Sequence, residues 1–239
     1  MTNWKDFFNT YRLVNIKGDG DLLYQVGITV GGKPISAPQF NAIVDSIKNG
    51  LQLVTDDVVL DLCCGNGVIT HELAKVARSV TGIDSSEPYI ANAKAFKNAA
   101  NIRYILGDVV NVNAWKGELP DKRNNKVLLY ASLAYLTPED LGRILSGLKE
   151  ITTSRTVIMI GSVLDANRKW NFFNTCSRRM IYVFKYRLLG RDTGVGRWWT
   201  PQEIEAIARE NDYACSLVRQ SPIMHTAHYR FDAVLSRIS

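Results

Sequence analysis

The sequence predicts an α/β protein built on a doubly wound, mostly parallel seven-stranded sheet, with an antiparallel last strand, a helical N-terminal cap and an inserted lid. Three observations carry this expectation. From residue 56 onward, short β-branched runs alternate with helical stretches. Those runs are apolar nearly throughout, as strands of a parallel sheet covered on both faces are. The last two runs are joined by a short link without a helical stretch, which suits an antiparallel pair at a sheet edge.

In chain order, residues 1–50 read as a mostly helical cap with one irregular stretch, GDGDLLYQVGITVGGKPIS. The main domain then runs over 51–239. Its strands are expected at Val58–Leu62, Ser79–Asp84, Ile102–Gly107, Lys126–Ala131 and Arg155–Ser162, with helical stretches near 68–78, 86–99 and 137–149. Thr137-Pro138-Glu139-Asp140 is a helix start: a hydroxyl cap, proline in the first turn, then acids near the positive end of the helix dipole. Thr200-Pro201-Gln202-Glu203 repeats that logic and opens a helix to about Asn211. Ala214–Gln220 and His228–Ser236 complete the seven strands.

Composition narrows the class. With 239 residues the chain suffices for one sizeable core and is short for two full domains. It holds no uncharged apolar run of the ~18 residues that a spanning helix needs. The opening MTNWKDFFNTYR lacks an apolar stretch, so no signal peptide is expected. Four cysteines form neither a disulfide framework nor a zinc pattern, because Cys63 and Cys64 are adjacent and Cys176 and Cys215 stand alone. A reducing, cytoplasmic setting without a bound metal is the simplest expectation. The net charge of +6 resides in residues 165–199, where eight basic side chains face only Asp165 and Asp192.

The stretch VVLDLCCGNG, residues 58–67, carries the chemistry. A strand ending in Asp61 that turns through Gly65 and Gly67 into a helix brings backbone N–H groups close to a ligand. The dinucleotide fingerprint needs glycine at 63, 65 and 68, where the chain has Cys63, Gly65 and Val68. A P-loop needs Gly-Lys-Ser/Thr after the turn, and Gly67-Val68-Ile69 offers none of it. Cys63 reads as a small apolar packing residue that replaces glycine where φ is negative, not as a nucleophile.

Asp61-Leu62-Cys63-Cys64-Gly65-Asn66-Gly67 resembles the first motif of the class I S-adenosylmethionine-dependent methyltransferases, with the acid and two of three glycines in place. The resemblance covers roughly residues 56–236, implies a Rossmann-like methyltransferase fold, and names S-adenosyl-L-methionine as cofactor. It implies that Asp61, Cys63, Gly65 and Gly67 face the methionyl part, with the acid favouring the ammonium and sulfonium. Asp84 ends the second strand, near the ~20-residue spacing at which a carboxylate reaches ribose hydroxyls, and Ser85 follows it. Asp108 and Val109 end the third strand, where the family places an acid by the adenine amino group. Tyr130 ends the fourth, where cofactor and acceptor meet. Leu23–Gly27, Gly31–Ser36 and the ending His228–Asp232 resemble a bacterial subgroup found with polysaccharide or small-metabolite pathways, and in such proteins Tyr24 and Gln25 sit beside the cofactor.

For the acceptor, Tyr130-Ala131-Ser132 replaces the Asp/Asn-Pro-Pro-Tyr/Phe motif of amino-group methylation, and no Pro-Cys pair exists for attack on a pyrimidine ring. Nucleic acid is therefore not an expected partner. Hydroxyl methylation of a small polar acceptor, a sugar or sugar nucleotide, leads. N- or C-methylation of a natural-product intermediate and a non-catalytic cofactor sensor or scaffold are the alternatives. An oxygen acceptor needs a base, for which His225, His228 and Tyr135 are the candidates. The segment 165–199 is expected to lie as a lid over the strand ends. Its stripe of Phe173, Cys176, Met180, Phe184 and Leu188 packs it down, or its basic face meets an anionic acceptor or a membrane surface. Trp198 and Trp199 suit either stacking on a sugar or core packing.

Overall fold

The computed structural model describes residues 4–12, 14–120, 123–184 and 195–238. Helix α1 (Trp4–Thr10), α2 (Asp19–Gln25) and α3 (Ala37–Leu51) precede the first strand of the main sheet, with a two-residue hairpin pairing Thr29–Val30 and Lys33–Pro34 between α2 and α3. The sheet follows: β1 (Val58–Leu62), α4 (Val68–Ala74), β2 (Ser79–Asp84), α5 (Glu87–Phe96), β3 (Ile102–Leu106), β4 (Asn124–Tyr130), α6 (Pro138–Leu148) and β5 (Thr152–Leu164). Helix α7 (Cys176–Ile181), α8 (Pro201–Glu210), β6 (Tyr213–Arg219) and β7 (Arg230–Arg237) complete it.

The strand order is β3-β2-β1-β4-β5-β7-β6. The first five strands are parallel, β7 runs antiparallel to β5, and β6 pairs antiparallel with β7 at the edge. The order reverses between β1 and β4, and ligands of open α/β sheets lodge beyond the carboxyl ends of the strands at such a point. Side-chain alternation divides the core. Leu60, Leu62, Val127 and Leu129 pack with α6 and α8 through Leu141, Ile144, Leu145, Leu148, Ile204 and Ala208. Val59, Leu128 and Met159 pack on the opposite face with α3 and α4 through Ile43, Ile47, Leu51, Ile69 and Leu73.

The two expected helix starts take their form from reciprocal caps. Thr137 Oγ1 accepts from the Asp140 N–H at 3.2 Å while the Thr137 N–H donates to Asp140 Oδ2 at 3.0 Å. Thr200 and Glu203 repeat this at 3.2 and 2.7 Å. Each pair satisfies donors that the first turn leaves open.

Three expectations need adjustment. Helix α3 belongs to the layer covering the sheet, not to a separate appendage, so only α1, α2 and the hairpin lie beyond that layer. The link between β6 and β7 is not short: it runs over residues 220–229, with turns from 222 to 229. The stripe of the basic segment does not pack down along its length. Phe173 is buried, but Cys176 is exposed and Met180 and Phe184 are 66% and 62% exposed, while Leu188 lies outside the described residues. Trp199, by contrast, is a core residue, fully buried with its indole N–H donating to the Leu133 carbonyl at 3.0 Å. No helix among the described residues is long and apolar enough to cross a membrane.

Candidate active site

The glycine turn holds three left-handed residues in alternation: Cys63 at φ 57°, Gly65 at 57° and Gly67 at 77°. This corrects the expectation of a negative φ at Cys63. The cysteine keeps the backbone shape that a glycine would supply, at a cost of roughly 1–2 kcal/mol. Its side chain is half-buried at the cavity wall, and burial first, then the nearby Asp84 carboxylate, pushes the thiol pKa upward, which keeps it protonated near pH 7. Cys63→Gly is accordingly expected to change folding stability by less than about 1 kcal/mol, the relief of strain offsetting lost packing. A urea melt showing a loss of about 2 kcal/mol or more would mean that the side chain, not the backbone, is what the turn needs.

Asp84 clamps this turn. Its Oδ2 accepts from the Gly65 N–H at 2.8 Å and its Oδ1 from the Ser86 N–H at 2.9 Å. Burial raises the Asp84 pKa, and the backbone donors oppose that rise. Asp61 lies beneath the turn, 2% exposed, with its Oδ2 accepting from Thr70 Oγ1 at 2.6 Å. Burial raises its pKa to about 7, the Thr70 hydroxyl lowering it and the Asp84 charge raising it further.

A cavity of about 630 Å³ opens above the turn, within the range of small-molecule sites. Of the expected cofactor residues, Cys63, Gly65, Asp84, Ser85, Asp108, Val109 and Tyr130 line it. Asp61, Gly67, Tyr24 and Gln25 are not in its lining. Gln25 is fully buried, its Oε1 accepting from Asn66 Nδ2 at 2.8 Å and from Asn92 Nδ2 at 3.2 Å. Tyr24 presents its ring to the Arg12 guanidinium, 4.6 Å away. Both hold the wall behind the turn.

The base candidates separate. His225 and Tyr135 line the cavity. His228 is exposed outside it, its ring against Tyr229 and its carbonyl accepting from Asn171 Nδ2 at 2.7 Å. The His225 pKa is lowered, by burial first and then by Arg230 and His228, so it is a neutral imidazole near pH 7. Burial raises the pKa of the Tyr135 hydroxyl, making it a poor proton acceptor.

None of the described residues of 165–199 lines the cavity. Its roof is the N-terminal segment instead: Phe8 meets the Tyr135 ring edge-on at 4.9 Å between centroids, and Tyr11 and Arg12 close the same side. The roof is fastened by side chains of the domain that bind its carbonyls. Ser86 Oγ donates to Phe8 O at 3.2 Å, the Tyr89 hydroxyl to Gln25 O at 3.1 Å, and Asn66 Nδ2 to Leu22 O at 2.9 Å. Sequence reasoning missed Phe8, Tyr89, Ser162 and Arg230 as lining residues. Only Arg230 carried a signal, a cation beside a candidate base.

Residues 59–154 match the family model of a methyltransferase domain. A stretch of 76 residues is 32% identical to a putative RNA methyltransferase of Acanthamoeba polyphaga mimivirus, covering 30% of this chain and 20% of that protein. Another of 93 residues is 33% identical to an uncharacterised methyltransferase of Synechocystis, covering 39% and 41% of the two chains. The matches thus span well under half the length of these curated relatives. In three dimensions the chain is similar to the magnesium protoporphyrin IX methyltransferase of Synechocystis with bound SAH, with a TM-score of 0.64 over 98% of this chain and 97% of that one, at 17% identity. At that identity the likeness establishes a shared fold, the Rossmann-like seven-stranded one.

Proposed function

We propose that this chain is an S-adenosylmethionine-dependent methyltransferase acting on an oxygen of a small polar acceptor, with a sugar or sugar nucleotide leading. The observation that carries the reading is one cavity at the switch point of the sheet whose lining brings together Asp84, Asp108 and His225. The matched methyltransferase domain and the SAH-bound structural neighbour support it. The Asp84 oxygens keep lone pairs free for ribose hydroxyls after accepting from Gly65 and Ser86. Asp108 and Val109 take the adenine side, and the turn backbone takes the methionyl part.

When bound, the cofactor supplies an electrophilic methyl group on a sulfonium. The chain's own contribution is alignment and exclusion of water under the N-terminal roof. Tyr130 and Ser132 flank the point where the two ligands would meet. His225, neutral near pH 7 and in the cavity lining, receives the acceptor's proton on Nε2, its Nδ1 being shielded from the cavity.

Calorimetric titration tests the reading. Micromolar binding of S-adenosylmethionine and S-adenosylhomocysteine, with no binding of nicotinamide dinucleotides, is expected. Absence of the first pair would end the enzyme reading.

Asp61 makes that titration pH-dependent. Its carboxyl is protonated more readily in the folded protein than in the unfolded chain, so the group disfavours folding progressively as pH rises from about 4 to about 7. A cationic ligand favours the charged form and draws that pKa down. Cofactor affinity is therefore expected to rise roughly five- to tenfold between pH 6 and 7.5, with proton release near pH 6. Calorimetry in buffers of different ionisation enthalpy reads that release, and a pH-independent affinity without it would exclude Asp61 as the charge beneath the cofactor.

A further inference from the structure

The cavity lining includes an arginine that forms no ion pair among the described residues. We propose that Arg230, with His225 beside it, is the anchoring site for an anionic group of the acceptor, a carboxylate or a phosphate. The inference rests on the methyltransferase reading and names the class of acceptor within it.

Arg230 opens β7 and lines the cavity together with Ser162, His225, Thr226 and Tyr229. Its guanidinium is held in place from two sides. One terminal nitrogen donates to the Ser162 carbonyl and to Ser162 Oγ, both at 3.0 Å, and the guanidinium carbon lies 5.5 Å from the centre of the Tyr229 ring. No carboxylate pairs with it among the described residues. Asp165 is taken by Arg168 at 2.6 Å. Asp232 is the acid near enough to feel Arg230, yet it forms no ion pair with it: its Oδ1 accepts from the Ser162 N–H at 2.7 Å and Gln220 Nε2 at 2.9 Å, and its Oδ2 from Ser46 Oγ at 3.5 Å. The Nε–H of Arg230 and Nδ1 of His225 are shielded from solvent and have no protein partner, whereas the second terminal nitrogen of Arg230 is not shielded in this way and makes no hydrogen bond among the described residues. A guanidinium does not shed its proton, so its free donor and its charge both call for an anion. Among the other ionisable neighbours, Tyr130 is held neutral by burial and His228 lies outside the cavity.

The backbone is shaped to this end. The ladder between β5 and β7 slips between Ile160 and Val163, and Ser162, inside the slip, takes a left-handed φ of 60°. In consequence its N–H turns to Asp232 and its carbonyl to Arg230, instead of both serving the sheet. Bulges beside ligand sites re-aim groups in this way, and a strained non-glycine residue persists where its surroundings over-determine it. Asp84 ends β2 and Arg230 opens β7, with β1, β4 and β5 between them in the sheet. Of the other charged lining residues, Arg143 lies 3.7 Å from Asp140 and Arg12 stacks on Tyr24, so an anionic acceptor at Arg230 complements a cationic cofactor at Asp84.

The test uses full-length protein saturated with S-adenosylhomocysteine. The side-chain Nε–H resonance of Arg230, assigned by its loss in Arg230→Lys, is followed during titration with inorganic phosphate and, separately, with acetate, against chloride at equal ionic strength. A saturable shift with a millimolar dissociation constant is expected for at least one anion. A response to phosphate alone identifies a phosphorylated acceptor, and a response to acetate alone a carboxylate. In Arg230→Gln the same anion should lose about tenfold or more in affinity, while S-adenosylhomocysteine binding changes by less than about twofold. Should Arg230→Gln fail to fold, Arg230→Lys, which keeps the charge but loses the fork, is expected to show an intermediate loss. No saturable shift with either anion, in protein that binds S-adenosylhomocysteine normally, overturns the anion site and leaves the cofactor reading intact. Failure of the wild-type protein to bind S-adenosylhomocysteine removes the methyltransferase reading instead.

Discussion

Asp84→Ala is expected to weaken S-adenosylmethionine binding by ~1.5–3 kcal/mol, or roughly ten- to a hundredfold. Two losses combine. The carboxylate that would accept from the ribose hydroxyls disappears, and so does the clamp in which Gly65 and Ser86 donate to it at 2.8 and 2.9 Å. Asp84→Asn separates them, because an amide keeps one acceptor oxygen for the turn and surrenders the charge. An intermediate loss in Asp84→Asn is expected by calorimetry. Unchanged binding in a folded Asp84→Ala protein would show that the cofactor lies elsewhere.

Gly67→Ala should damage the fold itself, by about 2–4 kcal/mol in a urea titration. Gly67 caps α4 at φ 77°, a conformation costly for any side chain. An added Cβ would also meet the Tyr104 ring, with Cζ only 2.8 Å away. That ring cannot retreat, since Tyr104 is buried and its hydroxyl donates to the Lys97 carbonyl at 2.8 Å. Gly65→Ala provides the contrast. Its nearest neighbour would be a Val26 methyl at 3.0 Å, belonging to the roof and free to give, so a smaller loss of stability is expected there. Equal losses at the two positions would mean that backbone conformation alone governs the turn.

What the sequence reveals follows from where the decisive physics acts. Val58–Leu62 and Ser79–Asp84 are legible to the residue because each short β-branched run stops at the polar or glycine-rich turn that follows it. The caps at Thr137 and Thr200 are equally local. Strand β5 is longer than expected, Thr152–Leu164 against Arg155–Ser162, because its threonine-rich start pairs with Asn124 of β4 across a register shift and the slip at Ser162 hides the end of its pairing with β7. Among candidate site residues, those at strand tips and in the turn are readable from spacing, which places Cys63, Gly65, Asp84, Asp108 and Tyr130 around one cavity. The conformation of Cys63 is not readable, because residue identity argues for negative φ while the chain takes φ 57° there, just before the Cys64 N–H donates to the Ile83 carbonyl at 3.0 Å. Arg230 was obscured by the larger cationic segment at 165–199, whose charge is conspicuous in the sequence yet whose described residues stay out of the cavity.

The way the roof is fastened has an evolutionary consequence. Ser86, Tyr89 and Asn66 grip carbonyl oxygens of Phe8, Gln25 and Leu22, and every residue type carries a carbonyl. Side chains of the segment that do not themselves enter the core, unlike those of Leu22, Leu23 and Gln25, can therefore be exchanged with little penalty to its attachment. New acceptor preferences could arise by drift in the first thirty or so residues, over a turn and a sheet that stay unchanged.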